Sequence, residues 1–265
     1  MKTALVATPI TSPSPREIDS TRPPARLRAW ILAISGGLFA SAGALLMLPI
    51  GLLTLFQARR LYAACARRIS RIVLRLYGIR LVVHGGDRLP RQQTVFVSNH
   101  TSTLDVFVLV ALGLPNCRFF MSGFLRKFVP LGVISWMMGT FFTVPQNRPL
   151  ERRRIFERAE RVLRRTGESV YLSPEGGRIR TGDLGHFNKG AFHLATNLHV
   201  PIVPLYIRIP PSVDPGFGYD ARPGTVEIFV LPAIDTTGWT VGNLIANKER
   251  VRNVLVGAHR ELSAS

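Results

Sequence analysis

The chain has 265 residues, of which 46% are hydrophobic, and its formal net charge is +18 at pH 7. Such a charge predicts an anionic partner, and its combination with high hydrophobicity weighs against a plain nucleic-acid binder and favours an anionic membrane surface. The two cysteines and six histidines show neither CxxC nor metal-ligand spacing, so the sequence gives no support for a disulfide framework or a metal site and suits a reducing cytoplasm.

The N-terminal region is apolar and basic. Residues 1–25 are rich in Pro, Ser and Thr, which predicts a disordered tail. Residues 29–58 carry no charge, and as one helix they would be about 45 Å long, more than the ~30 Å hydrocarbon core of a bilayer. Because glycines and Pro49 interrupt this stretch and arginines flank both ends, we expect a helical hairpin that enters one leaflet and returns. A tilted single span, or a signal peptide cleaved near Ala40-Ser41-Ala42, is the alternative.

Residues 59–80 show apolar residues at helical spacing and an arginine face, which predicts a basic amphipathic helix. We therefore assign residues 26–80 to a membrane-embedded helical hairpin plus this helix, and residues 81–265 to an α/β domain. The alternation of patterns there predicts a mixed, largely parallel sheet flanked by helices. We expect strands at 81–83, 94–97, 118–120, 141–144, 169–172, 202–207 and 226–230, and helices at 106–114, 150–165, 191–198 and 243–262.

The first chemical motif is the segment 98–105, Ser-Asn-His-Thr-Ser-Thr-Leu-Asp, between an apolar strand and an apolar helix. We expect His100 in the turn, Thr101 or Ser102 as the helix cap, and Asp105 bonded to one ring nitrogen of His100. This arrangement would leave the other ring nitrogen to accept a proton from a substrate hydroxyl. An ordinary turn with Asp105 as a first-turn acid is the alternative.

The second motif follows the predicted strand 169–172 and reads Ser-Pro-Glu-Gly-Gly-Arg-Ile-Arg. Gly176 and Gly177 would let backbone amides approach a bound anion, and Arg178 and Arg180 would bind phosphate oxygens. Glu175 would position an arginine or a substrate hydroxyl. A common Pro-Glu-Gly-Gly turn is the alternative.

Together the two motifs resemble the glycerolipid acyltransferase superfamily, typified by 1-acylglycerol-3-phosphate acyltransferase. Its pattern Asn-His-x-Ser-x-x-Asp is matched at Asn99, His100, Ser102 and Asp105, and Pro-Glu-Gly-Thr-Arg-Ser-Arg is matched at Pro174, Glu175, Gly176, Arg178 and Arg180. The resemblance covers roughly residues 80–210, and the N-terminal segment is similar to the membrane-docking helices of that family. Gly177 stands where the family has threonine, and Arg148 is the nearest match to the arginine of a further family motif, about three residues late.

The resemblance implies transfer of an acyl chain from acyl-CoA or acyl-carrier protein to the hydroxyl of lysophosphatidic acid, with no cofactor and no covalent enzyme intermediate. His100 and Asp105 would form the general base. Asn99, Ser102, Arg148, Glu175, Gly176, Gly177, Arg178 and Arg180 would bind substrate. The expected partners are anionic membrane lipids, the lysolipid and the acyl donor, without nucleic acid, at the cytoplasmic face of a membrane (the inner membrane in a bacterium).

Other functions remain open from the sequence. An acyltransferase for a lysolipid without phosphate, such as a lyso-ornithine lipid, would keep His100 but not require the arginines. A non-catalytic lipid-binding or membrane-tethering protein would use the hairpin and the arginines without chemistry, and replacing His100 would leave its function intact. A Ser/His/Asp hydrolase would recruit Ser98 or Ser102, but no Gly-x-Ser-x-Gly motif is present.

Overall fold

A computed structural model describes residues 26–178, 184–214 and 221–263 of the chain. The predicted tail, residues 1–25, and Arg180 therefore lie outside the described residues. The helices are α1 (Arg26–Leu53), α2 (Arg59–Leu76), α3 (Asp105–Leu112), α4 (Val129–Met137), α5 (Pro149–Thr166), α6 (Gly190–Leu198) and α7 (Leu244–Ser263). The strands are β1 (Ile79–His84), β2 (Val95–Ser98), β3 (Cys117–Ser122), β4 (Phe141–Thr143), β5 (Ser169–Leu172), β6 (Ile202–Arg208) and β7 (Gly224–Val230).

The strands form one sheet in the order β1-β7-β6-β2-β5-β3-β4. Strands β6, β2, β5, β3 and β4 run parallel, whereas β7 is antiparallel to β6 and pairs in parallel with β1. This confirms the predicted mixed, largely parallel sheet. The carboxyl ends of the five parallel strands meet at one edge of the sheet, which we call the carboxyl edge, and their starts form the amino edge. In open α/β sheets the crevice outside the carboxyl ends is the usual place for a ligand.

Both faces of the sheet are covered, which explains the near-continuous apolar strands. Val95, Phe96 and Val97 on the central strand β2 are all 0% exposed. Phe96 belongs to a core shared with helices α2, α3 and α4, whereas Val95 and Val97 belong to a core shared with α5, α6 and α7. Alternating residues of one strand thus point into two cores, as the pleat of a strand requires.

Helix α1 corrects the hairpin predicted within residues 29–58. The helix continues through Pro49 to Leu53, and the chain reverses only in the turn that precedes α2. A Cβ added to Gly43 would lie 2.5 Å from Cδ1 of Ile69, so the glycine serves close packing of α1 on α2 rather than a turn. The antiparallel hairpin of the structure is therefore formed by α1 and α2. Within the described residues, the segment Ala33–Leu53 is the one candidate long and apolar enough to cross a membrane.

An ion-pair cluster at the amino edge attaches α2 to the sheet. The carboxylate of Glu168, at the start of β5, lies 3.2 Å from Arg59 of α2 and 2.7 Å from Arg118 of β3. Burial acts to raise the pKa of Glu168. The hydrogen bonds of Arg118, Thr166 and Arg59 and the charge of Arg118 outweigh this effect and hold the pKa below its usual range. The cluster stabilises the hairpin on the side of the sheet opposite the two sequence motifs.

Candidate active site

The two sequence motifs meet at the carboxyl edge. Strand β2 ends at Ser98 and leads into Asn99 and His100, while the neighbouring strand β5 ends at Leu172 and leads into the Pro174–Arg178 loop. Val97 and Leu172 are register partners, so the two loops leave the sheet at the same level. The parallel pairing therefore brings together residues that lie about 75 positions apart in the chain, as the hydrogen bond of His100 with Glu175 shows.

His100 and Asp105 form the predicted pair. Nδ1 of His100 lies 2.6 Å from Oδ2 of Asp105, whose side chain is 2% exposed while that of His100 is 27% exposed. An ionised carboxylate only accepts, so Nδ1 carries the proton and Nε2 is the nitrogen available for proton transfer. The same Oδ2 also accepts from the backbone N–H groups of Thr101 and Ser102, at 2.9 and 3.0 Å. Asp105 thus shapes the turn and orients the imidazole at once.

The predicted helix cap is wrong. Leu104 occupies the N-cap position of α3 and makes no side-chain cap. The hydroxyl of Ser102 instead accepts from the backbone N–H of Leu104 at 2.9 Å and donates to the carboxylate of Asp214. Because Asp105 already binds the amides before the helix, Ser102 supports the turn rather than the helix end.

Asn99 and Ser102, which the motif predicts to contact substrate, are bonded to the protein itself in the structure. The amide of Asn99 donates to the carbonyl oxygen of Ile207 and accepts from its N–H, each at 2.8 Å. Asn99 is 4% exposed and Ser102 is 2% exposed. Both polar groups are buried and hold the His100 turn against β6 and Asp214, and their contact with substrate stays a prediction.

Glu175 joins the two loops through backbone hydrogen bonds, and its expected role toward an arginine or a substrate hydroxyl stays a prediction. Its Oε2 accepts from the backbone N–H of His100 at 2.7 Å, and its Oε1 accepts from that of Gly185 at 2.8 Å. Burial raises the pKa of Glu175 above its usual range, and the two backbone hydrogen bonds oppose this rise. The glutamate therefore fixes the distance between the His100 turn and the loop that follows β5.

The glycines after Glu175 differ from each other. Gly176 has φ +70°, and a Cβ there would lie 2.7 Å from Nδ2 of Asn188 and 2.8 Å from Nε2 of Gln146. Gly177 has no such strain, and a Cβ there would meet nothing within 4 Å. Only Gly176 is thus demanded by the fold, because side chains disfavour the left-handed region. Both glycines are exposed, so their backbone remains accessible to a ligand.

Arg178 is exposed and lies beside the His100 turn, where its Nη1 donates to Oγ1 of Thr103 at 3.2 Å. Arg148 follows β4 on the same edge, with its side chain 59% exposed and 3.6 Å from the carboxylate of Glu151. Gln146, two residues before it, reaches Gly176, which places the loops after β4 and β5 side by side. The substrate-binding role of Arg148 stays a prediction.

Sequence reasoning missed two residues that shape the site. Asp214 holds Ser102, and the only signal for it was an acidic residue after the predicted strand 202–207. Asn188 donates through Nδ2 to the carbonyl oxygens of Pro174 and Glu175, at 3.0 and 3.1 Å, and no local pattern pointed to it. Among the described residues, no three His, Cys, Asp or Glu side chains are grouped to hold a metal ion.

Comparison with known proteins agrees with this geometry. The profile of the family described as Acyltransferase matches residues 80–208, the part of the chain that contains both motifs. Residues 80–208 of the chain therefore belong to this acyltransferase family. It is 31% identical to the human 1-acyl-sn-glycerol-3-phosphate acyltransferase alpha over 192 residues, which cover 71% of this chain and 66% of the human protein. The chain thus spans just under two thirds of that relative.

Two further relatives extend the comparison. The acyltransferase is 29% identical to the 1-acyl-sn-glycerol-3-phosphate acyltransferase of Saccharomyces cerevisiae over 240 residues, 89% of this chain and 77% of the yeast protein. The crystal structure of the 1-acyl-sn-glycerophosphate acyltransferase from Thermotoga maritima superposes with a TM-score of 0.75 and 20% identity, covering 91% of this chain and 98% of that one. At this identity the structural match shows a shared fold.

Proposed function

We propose that this acyltransferase is membrane-bound and transfers a fatty acyl chain from a thioester to the hydroxyl of lysophosphatidic acid, which yields phosphatidic acid. The observation that carries the proposal is the His100–Asp105 pair, 2.6 Å apart, beside the exposed Arg178. The names of the relatives support the acceptor, because the human and yeast proteins are 1-acyl-sn-glycerol-3-phosphate acyltransferases.

The chemical step uses His100 as a general base. Nε2 takes the proton of the acceptor hydroxyl while the hydroxyl oxygen attacks the thioester carbonyl, and the C–S bond then breaks to release the thiol. Asp105 stabilises the imidazolium that forms, because its buried carboxylate is 2.6 Å from Nδ1. General-base catalysis of this type contributes roughly 10²–10⁴-fold. The acceptor attacks directly, so no acyl-enzyme intermediate is required.

The acceptor phosphate would lie against the Gly176–Arg178 loop. Arg178 is exposed and bonded to Thr103 within the His100 turn, so a phosphate on its guanidinium would hold the acceptor near the general base. Arg148 and Arg180 would add charge, and the backbone of Gly176 and Gly177 would donate to phosphate or to the developing oxyanion. Holding the hydroxyl near Nε2 lowers the entropic part of the barrier.

The remaining partners follow from charge and from α1. Acyl-CoA and acyl-carrier protein are both anionic donors that suit a chain of net charge +18, and neither requires a further cofactor. The exposed apolar side chains of α1 suit a membrane, and Trp30 is 67% exposed while Leu53 is 86% exposed. A site at the cytoplasmic face would meet both the lysolipid of one leaflet and the soluble donor.

Acyl transfer by detergent-solubilised full-length protein tests the function. With acyl-CoA or acyl-carrier protein as donor, we expect transfer to lysophosphatidic acid, loss of turnover in His100→Ala, and unchanged turnover in the matched control His84→Ala, whose ring lies on β1. Absence of transfer with either donor class would overturn the proposal and favour a tethering protein.

Arg178→Ala tests the acceptor. We expect the KM for lysophosphatidic acid to rise roughly 10- to 100-fold with a smaller change in kcat, because a charge-assisted hydrogen bond contributes roughly 1.5–3 kcal/mol. Arg153→Ala, an exposed arginine paired with Glu157, is the control. Transfer to a phosphate-free lysolipid that is indifferent to Arg178 would keep the chemistry and reject this acceptor.

A further inference from the structure

A second exposed apolar surface lies beside α1, on the segment that connects β3 to β4. Four of its side chains stand out: Phe124 is 58% exposed, Phe128 40%, Val129 68% and Trp136 57%. Phe124 lies in a short 3₁₀ turn at the carboxyl edge, and Phe128 lies at the end of this turn. Val129 and Trp136 lie on α4. A group of large apolar side chains exposed together marks an interaction surface rather than ordinary surface residues.

This surface is continuous with the hairpin of α1 and α2. The rings of Phe56 and Trp136 lie 5.2 Å apart, so the turn after α1 contacts the end of α4. A Cβ on Gly51 would lie 2.9 Å from Cε of Met137, which shows that α1 and α4 pack at close range. The apolar face of α1 and that of α4 therefore belong to one side of the molecule.

Helix α5 borders the same side with an uneven distribution of arginines. Arg154, Arg158, Arg161 and Arg165 are exposed and spaced by four, three and four residues, which places them on one stripe of the helix. None of the four forms an ion pair with a described carboxylate, whereas Arg153 and Arg164, on an adjacent face of α5, pair with Glu157 and Glu160 at 2.8 and 2.9 Å.

Helices α4 and α5 border a groove on this side of the molecule, and Arg158 of the stripe lines it. The groove has a volume of about 700 Å³, and Val129, Val133 and Trp136 of α4 line one wall, while Ile155, Arg158 and Val162 of α5 line the other. Apolar side chains thus occupy the centre of this side of the molecule, and unpaired guanidinium groups lie at its border. That order matches a lipid surface, in which acyl chains lie next to a layer of phosphates.

We propose that α4, the turn before it and the arginine stripe of α5 form a second membrane-contact surface, continuous with α1 and specific for anionic phospholipid. Phe124, Phe128, Val129 and Trp136 insert at the depth of the headgroups, and the four stripe arginines bind lipid phosphates. This inference rests on the proposed function and adds a lipid contact beside the sheet, with Phe124 at the carboxyl edge that carries His100.

Tryptophan fluorescence tests the insertion of α4. In the background Trp30→Phe, the remaining tryptophans are the exposed Trp136 and Trp239, which is 7% exposed and serves as an internal reference. Reconstituted into phosphatidylcholine–phosphatidylglycerol vesicles with brominated acyl chains, this protein should lose the emission of Trp136. The control Trp30→Phe/Trp136→Phe should show no quenching, measured as the ratio of emission in brominated vesicles to emission in unbrominated vesicles, and an equal ratio for the two variants would overturn the proposal.

Two matched double variants of α5 test the stripe in the same background. Arg154→Gln/Arg161→Gln removes two stripe arginines, and Arg153→Gln/Arg164→Gln removes two paired arginines, so the loss of charge is equal. The stripe variant should lose quenching of Trp136 in vesicles with phosphatidylglycerol, while the paired variant should keep it. Equal behaviour of the two variants would reject a specific role of the stripe.

Other occupants of this surface give different results. If the stripe variant lowered transfer from acyl-carrier protein but left Trp136 quenching unchanged, the stripe would bind an acidic protein and not lipid. Dimers by light scattering, together with unquenched Trp136, would assign the surface to a second copy of the chain. Acyl transfer by Trp30→Phe to substrate dispersed in detergent separates the membrane-contact proposal from the proposed function. Activity without quenching would reject the membrane-contact surface alone. Absence of activity would reject the proposed enzyme function.

Discussion

The two edges of the sheet use buried carboxylates in opposite ways. At the carboxyl edge, Asp105 accepts from the His100 ring and two backbone N–H groups, and Glu175 accepts from two backbone N–H groups. At the amino edge, Glu168 is bonded to the guanidinium groups of Arg59 and Arg118. The first arrangement shapes loops, and the second joins secondary-structure elements.

The pKa values reflect this difference. Burial raises the pKa of Glu175, and no arginine among the described residues forms an ion pair with it. Glu168 is partly buried, yet the hydrogen bonds and charge of Arg118 hold its pKa below the usual range. The carboxyl edge thus leaves Arg178 exposed for an anionic ligand, while the arginines of the amino edge form ion pairs that stabilise the fold. We therefore expect substitutions at the two edges to separate activity from stability.

The largest expected effect is that of Asp105→Asn on turnover. Among the described residues, the buried Oδ1 of Asp105 has no hydrogen-bond partner, so an asparagine can place its NH₂ there and keep its oxygen on His100. The substitution then removes the charge that stabilises the imidazolium while it retains the shape. We expect kcat to fall by roughly 10²–10⁴-fold, with a smaller change in the acceptor KM, in a steady-state transfer assay.

A second readout separates the charge of Asp105 from its structural role. The melting temperature of Asp105→Asn should stay near that of the wild type, whereas Asp105→Ala also leaves the Thr101 and Ser102 amides without their acceptor and should melt earlier. Turnover of Asp105→Asn within threefold of wild type would remove Asp105 from the mechanism.

The next effect belongs to the amino edge and concerns stability. Glu168→Gln removes a charge that two arginines share, and the side chains of Glu168 and Arg118 are only 11% and 9% exposed. Hydrogen bonds to charged groups contribute roughly 1.5–3 kcal/mol, and the 37% exposure of the Arg59 side chain puts the expected loss toward the lower end. Thermal unfolding in detergent should show it, with kcat unchanged below the melting range.

The loss of stability in Glu168→Gln should depend on pH, and the lowered pKa of Glu168 gives the direction of that dependence. A free glutamate has a pKa of about 4.3, and the folded-state pKa of Glu168 is lowered. The stabilisation is therefore complete above the unfolded value and disappears as the pH falls through the folded value. The difference in melting temperature between wild type and Glu168→Gln should narrow in acid. Glu157→Gln, which breaks the exposed pair with Arg153, is the control and should shift the melting temperature little at any pH.

Local sequence patterns were sufficient where the determinant is local. The apolar run Thr94–Val97 predicts a buried strand because such a run suits a sheet covered on both faces, and β2 forms there. The glycines and Pro49 of α1 were misleading because their effect depends on packing between distant residues. They are turn signals in isolation, but in the fold Gly43 and Gly51 give room to Ile69 and Phe56, and the contact between helices outweighs the local preference.

The candidate active site shows the same contrast between contacts that are local in the sequence and contacts between distant residues. The His100–Asp105 bond joins residues five positions apart, and the motif alone predicted it. The hydrogen bonds of Asn99 with Ile207, Ser102 with Asp214 and Glu175 with Gly185 were not predicted, because only the topology of the sheet brings these partners near. Nothing in a local pattern states whether a polar side chain binds a ligand or a distant loop.

The smallest of the three expected effects compares two adjacent glycines of the carboxyl edge. Gly176→Ala places a side chain in the left-handed region at φ +70°, against the Asn188 amide that holds the Pro174 and Glu175 carbonyl groups. That conformation costs roughly 1–2 kcal/mol for a non-glycine residue. If the strain displaces the loop that carries Arg178, kcat/KM for the acceptor should fall roughly tenfold, since about 1.4 kcal/mol corresponds to that factor. Gly177→Ala has open space and no such strain, so its kinetics should match the wild type. Equal kinetics for both variants would mean that the loop tolerates a shift at Gly176, and the phosphate would then be held by side chains rather than by this backbone.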